Sequence, residues 1–370
     1  MEFGIGLMCY PGCWEDAAFA ESHGFSTAGF VDSPLVSGAQ FVCMALAAQA
    51  TTTMRVGTFL NVPGLRSVPT TASALAAINA VAPGRVFLGT GTGYTGRITL
   101  GYRQPVAAAK VATYARQIRD MLEGRETTHR VGGRDLPIVS KYGADLGPAM
   151  ANPIPIYVAA DGPQILQAAG EVADGLITTL VASHVMLNGP QVFDANVKAF
   201  RAAAQASGRT LEDPYLIYSG VMCVLEPGEP ATSPRALAMA GPQAMIAFHS
   251  YACHAGIADT FPPFLGEQIE VYEREVLARF DIPRERLYQE VHSGHLTRLL
   301  EGESKVLTEE IIRATTMTGT AEDIAANRKA MQDMGLKNAT FWAPQGLARE
   351  LVTTIKDQIV PLMEPEPATA

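Results

Sequence analysis

The residues from Arg85 to Tyr94 join an apolar run of strand length to alternating glycines, in the order Arg-Val-Phe-Leu-Gly-Thr-Gly-Thr-Gly-Tyr. Glycine has no Cβ, so a backbone built from it can lie close to a flat ring or a phosphate and can turn without strain. The stretch therefore predicts a cofactor site at the end of a strand. A tight turn that binds nothing is the simpler alternative.

The segment from Gly91 to Gly96 also fits the G-x-G-x-x-G pattern of dinucleotide-binding proteins. In those proteins the glycines open a helix directly within a strand-helix-strand unit. Here we expect a loop from Arg97 onwards, with helical periodicity resuming only at Pro105. The pattern therefore does not favour a nicotinamide dinucleotide fold.

Four histidines in the C-terminal half are the other candidates for chemistry. His292 and His295 stand three apart, so a helix or turn would place them on one side. They lack a third ligand at recognisable spacing, so no metal site is predicted and a place in the substrate pocket is favoured. His249 and His254 are expected to be packed helix residues.

The elements that must position these residues alternate between strand and helix. Strands are predicted at 3–8, 27–31, 55–60, 86–88, 156–159, 176–179, 215–225 and 339–343, and helices at 14–23, 41–50, 68–81, 106–122, 164–173, 191–206, 320–334 and 347–360. Eight such units predict an α/β fold, the (β/α)₈ TIM barrel, with its active site at the carboxyl ends of the strands. A doubly wound open sheet is the alternative.

The remaining segments are assigned to the same single domain, which we place at residues 1–363. Residues 125–155 are polar and marked by Gly and Pro, which indicates a surface excursion. Residues 234–316 show helical patterns without a convincing strand, which predicts a long helical insertion between strands seven and eight. Residues 364–370 are expected to form a frayed tail.

The composition is that of an ordinary globular protein, with 48% hydrophobic and 18% charged residues and a net charge of −9. No basic block is present, so a nucleic-acid partner is not expected. No apolar run approaches the roughly 20 residues that span a bilayer, so we expect no membrane association and a cytoplasmic location. Five cysteines without paired spacing are expected to be free thiols. We also expect a homo-oligomer, dimeric or higher.

Four motifs in this order resemble the bacterial luciferase-like flavin-dependent oxidoreductases, and most closely their deazaflavin branch. The motifs are residues 20–25 with Asp32-Ser33-Pro34, residues 57–60 with Arg66 and 71–73, residues 84–93, and residues 155–163 with 170–175. The resemblance covers most of residues 1–180 and, more loosely, 315–360. It implies a barrel in which a flavin or deazaflavin ring lies over the strand ends.

The resemblance also implies roles for individual residues. The cofactor would contact Phe59, Leu60, Asn61, Gly91, Thr92, Gly93, Tyr94, Ala159, Ala160, Asp161, Gly162 and Thr178. Asp32, Tyr94, His292 and His295 would serve catalysis. Relatives often have a non-proline cis peptide at the position of Phe59 and Leu60. Asp32 as a turn residue and Asp161 as a helix N-cap are the structural alternatives, and the amides after Gly162 would hold the cofactor phosphate.

Two departures from the deazaflavin relatives bear on the cofactor. Tyr94 stands where they have a carboxylate, and Ser33 stands where the sugar-phosphate dehydrogenases have a histidine. A tyrosine ionises too high to replace a carboxylate in proton transfer at neutral pH. We therefore expect a monooxygenase that uses O₂ and reduced FMN from a separate flavin reductase on a small organic substrate. The alternatives are a coenzyme F420-dependent hydride-transfer enzyme and, from other classes, a cofactor-less binding protein or a hydrolase.

Overall fold

The computed structural model describes residues 1–141, 151–179, 189–254 and 257–363, and the backbone of the short strands Val181–Ala182 and Val185–Met186. The tail predicted at 364–370 lies outside these residues, as do residues 142–150 of the excursion. Among the helices that the structure describes, none combines the length and apolar character needed to cross a membrane.

Eight parallel strands close into a barrel. They are β1 Glu2–Leu7, β2 Thr27–Phe30, β3 Arg55–Asn61, β4 Val86–Thr90, β5 Ile156–Ala159, β6 Gly175–Thr178, β7 Tyr215–Gly220 and β8 Asn338–Trp342. Strand β1 closes the barrel because it pairs with β8 on one edge and with β2 on the other. The predicted TIM barrel is confirmed, and the open sheet is excluded.

Glycines inside the strands make room for aromatic rings in the barrel. A Cβ on Gly29 would lie 2.7 Å from the side chain of Phe59, and one on Gly57 would lie 2.4 Å from the ring of Phe87. Both distances are too short for real carbon atoms. The small residue on one strand therefore allows the large residue on the next strand to fill the interior.

Helices surround the barrel. They are α1 Cys13–Ser22, α2 Gln40–Ala50, α3 Val68–Val81, α4 Thr95–Ile98, α5 Ala108–Leu122, α6 Pro163–Val172, α7 Pro190–Ala206, α8 Pro234–Ala244, α9 Ile246–Cys253, α10 Pro263–Gly266, α11 Ile269–Glu275, α12 Glu309–Thr315, α13 Ala321–Asp333, α14 Ala348–Thr354 and α15 Val360–Met363. Helix α3 begins where predicted because the Ser67 hydroxyl accepts a hydrogen bond from the amide of Thr70. Proline stands in the first turn of α6 and α7, where its missing N–H is not needed.

The surface excursion contains a hairpin that the sequence analysis did not predict. Strand Thr127–Val131 pairs antiparallel with strand Arg134–Ile138. Gly132 and Gly133 between them have φ angles of 55° and 80°, as a two-residue hairpin turn of the primed type requires. Most of the hairpin is exposed.

The insertion between β7 and β8 is helical, as predicted, and no strand occurs in 234–254 or 257–316. The predicted seventh strand is interrupted at Val221, however. Beyond it, Met222–Val224 leaves the barrel and pairs in parallel with Met317–Gly319, directly after the insertion. This two-stranded sheet ties both ends of the insertion together.

Two smaller predictions are wrong in detail. The expected loop after the glycines begins with the one-turn helix α4. The expected last helix is α14 followed by a π-helical turn, Ile355–Ile359, before α15.

Candidate active site

A cavity of about 300 Å³ opens at the carboxyl end of the barrel. Each of the eight strands contributes a lining residue at or just after its end: Met8, Asp32, Leu60, Gly93, Ala159, Thr179, Ser219 and Trp342. Helices α8 and α9 and the turn at 295–296 line the cavity from the insertion side. The volume is at the lower end of the range for sites that bind small molecules.

The walls of this cavity are mostly apolar. The peptide bond between Phe59 and Leu60 is cis, as the family resemblance implied. The ring of Phe59 lies 5.8 Å from that of Trp342, measured between centroids. Trp342 Nε1 donates a hydrogen bond of 2.9 Å to Ser219 Oγ, so the indole has no unsatisfied donor. Flat apolar surfaces of this kind suit a planar ring.

Asp32 supplies the carboxyl group of the cavity wall. Its side chain is 1% exposed, and Arg66 Nη2 lies 3.2 Å from Oδ1. The side-chain amide of Asn61 donates to Oδ2 at 3.4 Å. Among the lining residues that the structure describes, no other Asp or Glu occurs, and no Lys or Arg.

A buried network behind Asp32 holds it in place. Asn61 accepts a hydrogen bond of 2.7 Å from Tyr114, and the Tyr114 hydroxyl lies 2.7 Å from the hydroxyl of Thr71. Gln40 Nε2 donates to the carbonyl of Phe30 at 2.6 Å. The network therefore links the ends of β2 and β3 to helices α2, α3 and α5.

The pKa of Asp32 is raised by burial, which penalises the carboxylate, and the neighbouring Arg66 offsets part of that rise. A carboxyl group with a raised pKa can carry a proton at a pH where an exposed aspartate is fully ionised. Its position on the cavity wall makes it able to give or accept a proton there. This departs from the alternative in which Asp32 is only a turn residue.

Close packing explains why glycine stands at the three positions after β4, and the sequence analysis did not predict this. A Cβ on Gly91 would lie 2.7 Å from the Leu60 side chain, and one on Gly93 would lie 2.3 Å from Val62. Gly93 also has a φ of 61°. A Cβ on Gly96 would lie 2.4 Å from the carbonyl oxygen of Asp32. Only Gly93 and Gly96 line the cavity, so close packing of strand ends explains much of the motif.

Asp161 binds protein groups rather than facing empty space. Its carboxylate accepts hydrogen bonds from the hydroxyl of Thr178, from the hydroxyl of Thr179 at 2.6 Å and from Asn196 Nδ2 at 3.2 Å. The N-cap of α6 is Gly162, with no side-chain cap, so the interpretation of Asp161 as the N-cap is wrong. Among the described residues, and apart from its chain neighbours, no atom lies within 4 Å of a Cβ built on Gly162. The space beside the first turn of α6 is therefore open with respect to those residues, next to a carboxylate.

Tyr94 lies at the edge of the cavity toward the insertion. Its ring centroid is 5.6 Å from His254 and 6.0 Å from His292. Burial raises the pKa of the Tyr94 hydroxyl, so it stays protonated at neutral pH. His295 lines the cavity, whereas His292 is buried and is not among the lining residues.

The structure thus divides the predicted site residues into two groups. Those that line the cavity are Asp32, Phe59, Leu60, Gly93, Tyr94, Ala159 and His295, and those that are not among its lining residues are Asn61, Gly91, Thr92, Ala160, Asp161, Gly162, Thr178 and His292. Trp342 and Gln243 are lining residues that the sequence analysis missed. The position of Trp342 at the end of a strand could have indicated that it lines the cavity. No sequence pattern indicates that α8, which contains Gln243, lies over the cavity.

The model of the luciferase-like monooxygenase family matches residues 14–338. The chain belongs to this family. A 5,10-methylenetetrahydromethanopterin reductase of Methanolobus tindarius is 26% identical over 90% of both chains. An F420-dependent glucose-6-phosphate dehydrogenase of Mycolicibacterium gilvum is 31% identical over 46% of this chain and 50% of its own. The family members with these names are oxidoreductases.

A solved structure shares the fold of the whole chain. The coenzyme F420-dependent tetrahydromethanopterin reductase from Methanopyrus kandleri superposes with a TM-score of 0.69 at 18% identity, over 98% of this chain and 99% of its own. The resemblance deduced from the four motifs, including its deazaflavin branch, is therefore confirmed. The chain is a luciferase-like oxidoreductase.

Proposed function

We propose that the chain is a deazaflavin-dependent oxidoreductase that transfers a hydride between coenzyme F420 and a small, uncharged organic substrate. This replaces the FMN monooxygenase that the sequence analysis favoured, because the relatives named above carry F420 or pterin reductase names. The observation that carries the proposal is the buried carboxyl group of Asp32 on the cavity wall.

The lining of the cavity fits a flat tricyclic ring. The apolar side chains of Phe59 and Leu60 and the Trp342 indole line the same cavity as Gly93, which adds no side chain to it. The phosphate-bearing chain would leave toward the first turn of α6, where the space beside Gly162 is open with respect to the described residues. A ring thus enclosed is shielded from water, which strengthens electrostatic interactions with it.

Asp32 takes the proton-transfer role that the family resemblance gives, in deazaflavin relatives, to a carboxylate at the position of Tyr94. When bound, the deazaflavin supplies a carbon centre that donates or accepts a hydride. In carbonyl reduction, the protonated Asp32 gives its proton to the substrate oxygen as the carbon receives the hydride. In alcohol oxidation, the Asp32 carboxylate accepts the hydroxyl proton as the hydride leaves.

The lining restricts the class of substrate. No Lys or Arg lines the cavity among the described residues, so it offers no cation to a phosphate or carboxylate on the substrate. Besides Asp32, the polar side chains of the lining are all uncharged or histidine, and the other lining side chains are apolar. The polar ones belong to Ser33, Tyr94, Thr95, Thr179, Ser219, Gln243, His295, Thr315 and Trp342. A small ketone, secondary alcohol or unsaturated ring compound meets these conditions better than a sugar phosphate does.

A monooxygenase that uses reduced FMN and O₂, with a flavin reductase as partner, is the second candidate. Tyr94 favours it, because its aromatic ring adds an apolar wall and its hydroxyl, whose pKa burial raises, is no substitute for a carboxylate as a base. Titration with F420 and with FMN, both oxidised, tests the choice. We expect F420 to bind at least about tenfold more tightly, a difference of about 1.4 kcal/mol.

Turnover completes this test. Reduced F420 should be oxidised without oxygen by at least one member of a panel of small ketones. Tighter binding of FMN, together with substrate turnover only in the presence of O₂, would favour the monooxygenase. Binding of neither cofactor would favour a binding protein on the same barrel.

A further inference from the structure

Three histidines from distant parts of the sequence meet beside the cavity. His249 lies on helix α9, and His292 and His295 lie in the turns that follow Gln289. All three are buried, with exposures of 1%, 1% and 7%. One ring nitrogen of each lies within 4.8 Å of one from both of the others.

One nitrogen of each ring has a polar partner. His249 Nε2 lies 2.7 Å from the buried carboxylate of Glu303, and His295 Nε2 lies 2.9 Å from the hydroxyl of Thr95. His292 Nε2 lies 3.7 Å from Cys253 Sγ. Glu303 is itself held by the amide of Leu300 at 2.7 Å. Metal-ligating histidines have the same arrangement, in which an outer carboxylate or hydroxyl fixes the orientation of the ring.

The other nitrogen of each ring has no partner. The Nδ1 atoms of His249, His292 and His295 are buried without a hydrogen bond among the described residues. Each unsatisfied buried polar atom costs about 1–3 kcal/mol, so three in one place require an explanation. Burial lowers the pKa of His295 to about 3 and that of His292 well below its usual range. Both rings are therefore neutral, which is the form that binds metals.

We propose that His249, His292 and His295 bind a divalent transition metal ion of the Zn²⁺ class through Nδ1. Imidazole ligands suit Zn²⁺ and its neighbours, and three histidines with an open fourth position form a known type of zinc site. Tetrahedral coordination at about 2.1 Å would bring the nitrogens about 3.4 Å apart. One ring nitrogen of each histidine already lies within 4.8 Å of one from both of the others, so binding would require the rings to move closer together.

The site adjoins the cavity, and it is independent of the cofactor proposal. His295 and Thr95 line the cavity, and the ring of Tyr94 lies 6.0 Å from that of His292. A bound ion would therefore join the turn at 292–295 to helix α9 and fix one wall of the cavity. This proposal differs from the sequence analysis, which predicted no metal site and took His249 to be a packed helix residue.

The test uses the full chain freed of metal by a chelator and then titrated with Zn²⁺ or Co²⁺. We expect one equivalent to bind with a Kd of about 1 μM or tighter, and Co²⁺ to give the visible absorption of a tetrahedral site. His292→Ala should weaken binding by more than about 100-fold, and Glu303→Gln by about 10–100-fold, as for other outer partners. His254→Ala is the matched control, since this neighbouring histidine is outside the cluster, and it should bind Co²⁺ unchanged.

Circular dichroism shows whether each variant is folded. If a histidine variant does not fold, the proposal is tested by the Co²⁺ spectrum and the binding stoichiometry of the unaltered chain. Stoichiometry far below one equivalent, Co²⁺ without a visible band, or equal binding by a folded His292→Ala variant would overturn the proposal.

Discussion

Replacement of Asp32 by asparagine separates a catalytic from a structural role for this residue. Asparagine keeps the size of the side chain and an oxygen that accepts from Arg66, but it cannot exchange a proton. No second carboxyl group lines the cavity among the described residues, so nothing there can take over. We expect kcat for F420-dependent turnover to fall by about 10²–10⁴, the usual contribution of a general acid or base.

The same change should leave stability almost untouched. Loss of the ion pair with Arg66, whose side chain is 31% exposed, removes about 0–1 kcal/mol. The raised pKa of Asp32 acts in the opposite direction, because burial penalises the carboxylate. We therefore expect Tm at neutral pH to change by less than about 2 °C.

The raised pKa of Asp32 also determines how its contribution to the stability of the fold changes with pH. Because the folded pKa is raised, the folded state holds this proton more tightly than the unfolded chain does. The stability that Asp32 contributes is complete below the unfolded value of about 3.9 and is lost as pH rises through the folded pKa. The Asp32→Asn variant should lack this loss.

Steady-state kinetics and thermal unfolding of Asp32→Asn, with Asp16→Asn as control, provide the assay. Asp16 bonds Tyr10 and Arg349, and none of these three residues lines the cavity, so its replacement should leave kcat unchanged. Turnover of Asp32→Asn within about threefold of the unaltered chain would refute the proton-transfer role. If Asp32→Asn loses several kcal/mol of stability as well as its activity, the role of Asp32 is structural rather than catalytic.

Three further variants test the surroundings of the cavity. Gly93→Val should destabilise the chain by about 2–4 kcal/mol in urea unfolding, from positive φ and a clash in the packed wall; native stability with lost cofactor binding would contradict this. Tyr114→Phe should lower the free energy of unfolding by about 1–3 kcal/mol, because it leaves the Asn61 oxygen unsatisfied. An unchanged free energy of unfolding would show that this hydrogen-bond network does not stabilise the fold. Asp161→Asn should tighten F420 binding about fivefold in a fluorescence titration, since about 1 kcal/mol of repulsion is removed; weaker binding would argue against a phosphate at Gly162.

Local signals predicted the barrel well. The helix Val68–Val81 was predicted to the residue from its Ala-rich composition, and the structure shows that Ser67 caps it and that Pro69 stands in its first turn. The strand Ile156–Ala159 was equally clear, because its apolar run follows a proline. Such signals lie within a few residues of the element that they determine, so sequence patterns alone expose them.

Side-chain partners across the fold were not predictable in this way. His249 was predicted with His254 to be a packed helix residue. It stands 43 positions before His292, and the folding of the insertion brings the two together. The reason for Gly91 was likewise invisible, since it depends on the side chain of Leu60 in a neighbouring strand. The sequence-based preference for FMN rested on Tyr94 alone, because the sequence does not show that Asp32 is buried on the wall of the same cavity.

Isotope transfer tests the central claim most directly. The chain is given a small ketone that it turns over, F420 reduced with deuterium at its hydride position, and an atmosphere containing oxygen-18. We predict that the product alcohol carries one deuterium bound to carbon and no oxygen-18, and that the rate is unchanged without oxygen. A product that contains oxygen-18, or that forms only with reduced FMN and O₂, would contradict hydride transfer and support the monooxygenase instead.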